Sequence, residues 1–134
     1  MSWVTTNMNL VRLYAVAGDD SIDPPLVVAA GAEGVILYST NEVEDDQGFE
    51  TLEWQQAARF DYLSLNDVAF GSGRFFMACD SGNLYRSVGG QEWLAEISGV
   101  TVDLNAVAYV SGEIWLAAGD DGTIIRSTDN GRNW

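Results

Sequence analysis

The sequence contains no histidine and no lysine, and these absences exclude several classes of site. Without histidine the chain has no imidazole for a His-ligated zinc centre or a Ser–His–Asp triad. Twenty acidic residues face six basic ones, all arginine, and the net charge is −14 at pH 7. Nucleic acids and anionic membrane surfaces are bound through clustered basic side chains. We therefore predict that neither is a partner.

Cysteine and long apolar runs are equally scarce. Cys79 is the only cysteine, so the chain forms no internal disulfide. It ends the apolar run Phe-Phe-Met-Ala-Cys, and we predict a small core residue there, not a nucleophile. No run of eighteen apolar residues is present to predict a membrane span, and residues 1–10 lack the basic and apolar segments of a secretory signal. The composition favours one soluble domain and predicts no compartment.

A repeat with a period of about forty residues runs through most of the chain, in the range typical of propellers and solenoids. The second and third copies align at four pairs of residues: Asn66 with Asn105, Gly82 with Gly122, Ser87 with Ser127, and Trp93 with Trp134. An earlier copy has Gly34, Ser39 and Trp54 at the corresponding places. It carries insertions around residues 19–25 and 42–50.

Each copy has the pattern of short β-strands. In the third copy LNAVAY alternates, while EIWLAA and TIIRS are short apolar runs separated by glycine-containing turns. A further strand-like stretch follows Trp54 and Trp93. We therefore predict an all-β fold, a β-propeller with blades of four antiparallel strands. The predicted units of a single domain, residues 1–134, are a closing strand at 2–6, blades at 10–58 and 63–97, and an incomplete blade at 102–134.

About three blades per chain are fewer than the roughly four to eight of a closed propeller. Two interpretations remain open. A second copy completes the ring, giving a homodimer with six blades, or the chain is part of a longer propeller. We favour the homodimer, because a lone arc leaves an open apolar face at each end.

The segment STDNGRNW, residues 127–134, resembles the Asp-box of bacterial neuraminidase repeats, Ser-x-Asp-x-Gly-x-Thr-Trp, with Asn133 at the threonine position. SVGGQEW, residues 87–93, matches it less well, and the first copy is interrupted. The candidate box residues are Ser127, Asp129, Gly131 and Trp134 in the third copy, Ser87, Gly90 and Trp93 in the second, and Ser39 and Trp54 in the first.

This resemblance is to the Asp-box propeller group, which includes sialidases, xyloglucan-degrading hydrolases, sortilin-type receptors and photosystem II assembly factors. Boxes of this kind are structural, so the resemblance implies a fold and not an activity. The arginine triad of sialidases cannot be placed on this sequence, because Arg86 and Arg126 share one repeat position on different blades. We predict no catalytic residue and no cofactor.

Four residues are candidates for contact with a partner: Phe49, Trp115, Arg86 and Arg126. Phe49 is the strongest, because it lies in the polar second insertion. Asp45 and Asp46 in the same insertion could bind Ca²⁺ through carboxylate oxygens, but no regular ligand spacing is present and solvated loops are favoured.

The predicted function is a non-catalytic binding or scaffold module that recognises a protein or a glycan through loops on one face of the propeller. Two alternatives remain open from the sequence. The chain could be a glycan-active hydrolase of the sialidase or xyloglucanase kind, or a fragment of one. It could also be an engineered or truncated repeat without an evolved ligand.

Overall fold

Three antiparallel sheets make up the described chain, residues 11–57, 60 and 63–134 of a computed structural model. Sheet 1 contains β1 (Leu13–Asp19), β2 (Leu26–Gly31), β3 (Ile36–Glu44) and β4 (Glu50–Gln56). Sheet 2 contains β5 (Leu65–Gly71), β6 (Arg74–Cys79), β7 (Leu84–Ser87) and β8 (Leu94–Glu96). Sheet 3 contains β9 (Leu104–Ser111), β10 (Ile114–Gly119) and β11 (Thr123–Ser127). The prediction of an all-β fold with about three blades is confirmed.

In each sheet the strands follow one another in chain order, each hydrogen-bonded to the next. The first strands of neighbouring sheets contact each other, β1 with β5 and β5 with β9, as the innermost strands of propeller blades do. The strand predicted at residues 2–6 lies outside the described residues. No helix in the described ranges is long and apolar enough to cross a membrane.

The central strand β6 shows how the sheets are held together. Its side chains alternate between the two faces of sheet 2. Phe75, Met77 and Cys79 belong to the core between sheets 1 and 2, whereas Phe76 and Ala78 belong to the core between sheets 2 and 3. All five are fully buried, which explains the continuous apolar run in the sequence.

Cys79 confirms its predicted place in the core. The residue is fully buried, and this burial raises the pKa of its thiol well above the usual value. The thiol is therefore protonated at neutral pH and unsuited to nucleophilic attack.

The connections between the second and third strands of all three sheets have one conformation. They are single 3-10 turns at Ala32–Gly34, Asp80–Gly82 and Asp120–Gly122. The middle residue of each lies in the left-handed region, and the glycine after it has a φ of 70°, 73° or 69°. Such angles favour glycine, which is why glycine recurs at this place in the repeat.

The second insertion forms strands instead of the solvated loop that the sequence favoured. β3 runs on to Glu44 and β4 begins at Glu50, so the two strands form a hairpin that extends past the end of the corresponding connection in sheet 2. Val43 pairs with Thr51 and Glu44 with Glu50. Alternating polar and apolar residues along both strands allow this pairing to continue through the insertion.

Candidate binding surfaces

The turn at residues 127–134 is held by a set of local hydrogen bonds. The hydroxyl of Ser127 donates to Asp129 Oδ1 at 2.8 Å and accepts the N–H of Gly131 at 2.8 Å. The Asp129 carboxylate accepts the backbone N–H of Asn133 at 2.9 Å and its side-chain amide at 2.7 Å. Trp134 Nε1 donates to the carbonyl of Gly131 at 3.0 Å. Asn133 thus supplies a side-chain donor at the position where the box motif has threonine.

The segment at residues 87–93 keeps part of this arrangement without an aspartate. Ser87 Oγ accepts the N–H of Gly90 at 2.8 Å, and Trp93 Nε1 donates to the carbonyl of Gly90 at 3.0 Å. In sheet 1 the hydroxyl of Ser39 instead donates to the carbonyl of Asn41 at 3.0 Å, at the start of the extended hairpin. All three serines are buried, and each hydroxyl has a partner close in sequence.

The glycines Gly90 and Gly131 of these two turns also lie against the preceding sheet. A side chain at Gly131 would overlap the ring of Phe76, and one at Gly90 would press on Val28. The ring of Trp134 packs edge-on against that of Phe76, with centroids 5.5 Å apart. These residues therefore join neighbouring sheets, and they take part in the packing of the molecule itself.

Hydrogen bonding holds the pKa of Asp129 at about 2, below its usual value of 3.8. The largest cause is the bond from the side chain of Asn133, followed by the bond from its backbone N–H and the bond from Ser127. Each of these bonds stabilises the charged carboxylate.

Replacing Asp129 with asparagine is expected to make stability less sensitive to acid. Because the pKa is lower in the folded chain than in the unfolded one, the contribution of Asp129 is complete above its usual pKa of 3.8 and is lost as the pH falls towards 2. The melting temperature of Asp129→Asn should therefore lie below that of the unmodified chain at pH 6 and approach it near pH 2. Asp46→Asn, on an exposed turn, controls for the loss of one charge. A difference that stays constant over this range would contradict the assignment.

The extended hairpin of sheet 1 has an ordered turn with an aromatic side chain at its tip. Asp45 Oδ1 accepts the backbone N–H groups of Gln47 and Phe49, each at 2.9 Å. The N–H of Asp45 donates to the carbonyl of Phe49 at 2.9 Å, which closes the turn. Since side chains alternate along a strand, Val43 and Phe49 lie on the same face of the hairpin, and both are exposed.

Asp45 therefore acts as the cap of its own turn. Among the described residues, no group of three or more acidic or cysteine side chains is placed to hold a metal ion. Asp46 is exposed next to Asp45 and forms part of no such group. The weak calcium candidates of the sequence analysis gain no further ligand from the fold.

The other three contact candidates have different outcomes. Trp115, one of the contact candidates, is fully buried in the core between sheets 2 and 3 and is not accessible to a partner; its Nε1 donates to Asn130 Oδ1 at 2.9 Å. Arg86 forms an ion pair with Glu96 on the adjacent strand β8. Arg126 occupies the same place on β11 and is exposed, since β11 pairs only with β10 in the described part of the chain.

The two outer sheets each have an apolar face that no described sheet covers. The head face, on sheet 1, consists of Leu13, Val16, Ala29 and Trp54 and lines a groove of about 370 Å³. The tail face, on sheet 3, consists of Ala106, Ala108, Leu116, Ala118 and Ile124 and lines a groove of about 170 Å³. Neither surface was identified among the candidate residues from the sequence. Comparison of equivalent repeat positions across the three copies is the signal that could have located them.

No protein-family model matches the chain, and no curated protein matches it significantly. Among solved structures, YCF48 bound to D1 peptide is similar with a TM-score of 0.70 at 15% identity, over 92% of this chain and 40% of that one. YCF48 from Cyanidioschyzon merolae is similar with a TM-score of 0.69 at 18% identity, over 90% of this chain and 38% of that one. The computationally designed Ika4 protein gives a TM-score of 0.49 at 14% identity, over 96% and 99% of the two chains.

The similarity to YCF48 supports a propeller-like fold for the chain. At these identities it concerns the fold alone. The chain spans about two-fifths of the length of the YCF48 chains that it matches.

Proposed function

We propose that the chain is a non-catalytic binding module that recognises a protein partner through the extended β3–β4 hairpin. The observation that carries this proposal is Phe49, which is 51% exposed at the tip of a hairpin whose turn is held by four hydrogen bonds of Asp45. An aromatic side chain on an ordered support is typical of the anchors that dominate protein interfaces, because its ordering costs little entropy on binding.

The surroundings of Phe49 define the chemistry of the partner. Val43 lies on the same face and extends the apolar contact. Glu44 and Glu50 face each other across the two strands, and like charges in this position destabilise a hairpin. Glu44 and Glu50 lie on the opposite face of the hairpin from Phe49, since side chains alternate along each strand. An apolar residue of the partner would cover Phe49, and cationic neighbours in the same segment would be attracted by the acidic hairpin as a whole. The net charge of −14 would favour the approach of this segment.

The comparison with known structures supports a peptide or protein ligand over a glycan. One of the similar structures is a YCF48 chain bound to a peptide. That chain is much longer than this one, so the precedent concerns the kind of ligand that a related fold can bind and not its identity.

Replacing Phe49 with alanine is expected to weaken peptide binding by about tenfold or more, the loss typical of a buried aromatic anchor. The probes are two libraries of short displayed peptides, one rich in arginine and lysine and one without them. The affinity of enriched peptides is measured by calorimetry at low salt. Val88→Ala, at an exposed valine outside the hairpin, is the matched control.

Enrichment of cationic peptides, with affinity lost in Phe49→Ala and kept in Val88→Ala, would support the proposal. Equal affinity of the two variants would contradict the role of the hairpin. A glycan array is screened in parallel, and Phe49-dependent binding of a glycan without peptide binding would show the partner class to be wrong.

A further inference from the structure

We propose that the tail face of one copy of this chain binds the head face of a second copy, at two equivalent junctions, so that two chains close a ring of six sheets. The inference is independent of the β3–β4 hairpin. It rests on residues at equivalent positions of the three repeats, which are buried by a neighbouring sheet in some copies and exposed in others.

The tail face repeats a surface that is covered elsewhere in the same chain. Ile124 is 72% exposed, whereas Ile36 and Leu84, at the same repeat position, are 0% and 1% exposed. Ile36 is covered by sheet 2 and Leu84 by sheet 3. Ile124 therefore lies where the fold places a residue for burial under the next sheet.

The match extends across the tail face, residue by residue. Ala106 and Ala108 on β9 correspond to Ala15 and Ala17 on β1, and Leu116 and Ala118 on β10 correspond to Val28 and Ala30 on β2. In sheet 1 this set packs against sheet 2. Sheet 3 thus offers nearly the same set of side chains, and its covering sheet is not among the described residues.

The residues of the head face are exposed, whereas their equivalents in the other sheets are buried against the preceding sheet. Val16 is 65% exposed, whereas Val68 and Val107, at the same repeat position, are each 5% exposed. Val68 is part of the surface that sheet 2 presents to sheet 1, and Val107 of the surface that sheet 3 presents to sheet 2. Leu13 is exposed in the same way, while its equivalents Leu65 and Leu104 are fully buried.

These correspondences identify a second copy of the chain as the molecule that covers each face. The residues that cover such a face inside the chain include a leucine and a valine at fixed places on the first strand of the next sheet. The second strand of that sheet adds Phe75 and Met77 in one case and Trp115 and Ala117 in the other. The head face carries the same leucine and valine. Both halves of an inter-sheet contact are therefore present on one chain, at opposite ends, and a second copy supplies the missing half to each. A head-to-tail contact made twice under two-fold symmetry leaves no end face uncovered.

The first test is the mass of the 134-residue chain in solution, measured by light scattering over a wide concentration range. The expected result is twice the 14.6 kDa of one chain. A folded monomer would overturn the proposal. A complex of three or more chains would overturn the two-chain ring.

Charge variants test which faces meet. Val16→Glu on the head face and Ile124→Lys on the tail face each place a charge in both junctions of the ring, so each variant alone is expected to be monomeric. An equimolar mixture is expected to recover the dimer mass. One of its junctions is then unmodified, and the other pairs a glutamate with a lysine. Both positions are exposed in the single chain, so the circular dichroism spectra are expected to stay unchanged.

Two matched controls exclude a general effect of added charge. Val88→Glu and Ile97→Lys carry the same changes at positions 66% and 88% exposed that belong to neither face. Both are expected to remain dimeric, as is Phe49→Ala. Loss of the dimer in Ile124→Lys but not in Val16→Glu would indicate contact between two tail faces, and it would overturn the head-to-tail assignment.

Discussion

Replacing Gly82 with alanine is expected to cost about 3 kcal/mol of unfolding free energy, because two penalties add. The residue has a φ of 73°, which alanine adopts at a cost of about 1 kcal/mol. The new methyl group would also overlap the backbone carbonyl of Val100, in the connection from β8 to β9. That connection has little freedom to move, since the buried hydroxyl of Ser98 donates to the Gly82 carbonyl at 2.6 Å.

Gly122→Ala provides a control at the same place in the next repeat. Its φ is 69°, and no other atom lies within contact distance of the added methyl group. This variant should lose only the conformational term of about 1 kcal/mol. The midpoints of urea unfolding, with equal slopes for all variants, give the two losses. Equal losses at Gly82 and Gly122 would contradict the overlap with Val100.

Replacing Trp115 with alanine is expected to cost about 3–5 kcal/mol, the range for removing a buried aromatic side chain. Its ring is fully buried and packs against Phe76 at 4.7 Å and Tyr109 at 5.2 Å between centroids. Because domains are stable by only about 5–15 kcal/mol, this loss should be visible as a large drop in the unfolding midpoint.

Trp115→Phe distinguishes the contribution of the buried aromatic surface from that of the Nε1 hydrogen bond. Phenylalanine keeps most of the buried surface and loses the bond from Nε1 to Asn130, so a cost of about 1 kcal/mol is expected. Circular dichroism at increasing urea concentration measures both variants. A loss below about 1 kcal/mol for Trp115→Ala would be inconsistent with its place in the core.

Much of the fold was predictable because the aligned repeats showed where each strand begins and ends. Aligned turns at Gly34, Gly82 and Gly122 marked the same place in all three sheets, and apolar runs between turns predicted strands. The face that each side chain takes was harder to predict. In the segment EIWLAA every residue after the glutamate is apolar or small, so the sequence did not show that Trp115 points towards sheet 2 and Leu116 away from it.

The candidate site was predictable only in part. Phe49 was identified because it stood in a polar insertion, and its exposure agrees with that reasoning. The insertion itself was expected as a loop because it is rich in acidic residues. In the structure its alternating polar and apolar side chains continue β3 and β4. An open apolar face at each end was predicted, but the residues of the head and tail faces were not identified, for a different reason. Val16 and Ile124 are ordinary core residues by composition, and only the place of a sheet within the arc decides whether they are covered.

The outer edge of β11, which is unpaired within the described residues, has a consequence for handling the protein. Arg86 and its neighbours on β7 bond to β8, whereas the outer side of β11 has no neighbouring strand in the described residues. An unpaired sheet edge of this kind can form hydrogen bonds with an extended segment of another molecule, which is the first step towards fibril formation. Mutual repulsion among chains that each carry a charge of −14 opposes this step at neutral pH and low salt. Precipitation should therefore begin as the solution approaches the isoelectric point near 4.1.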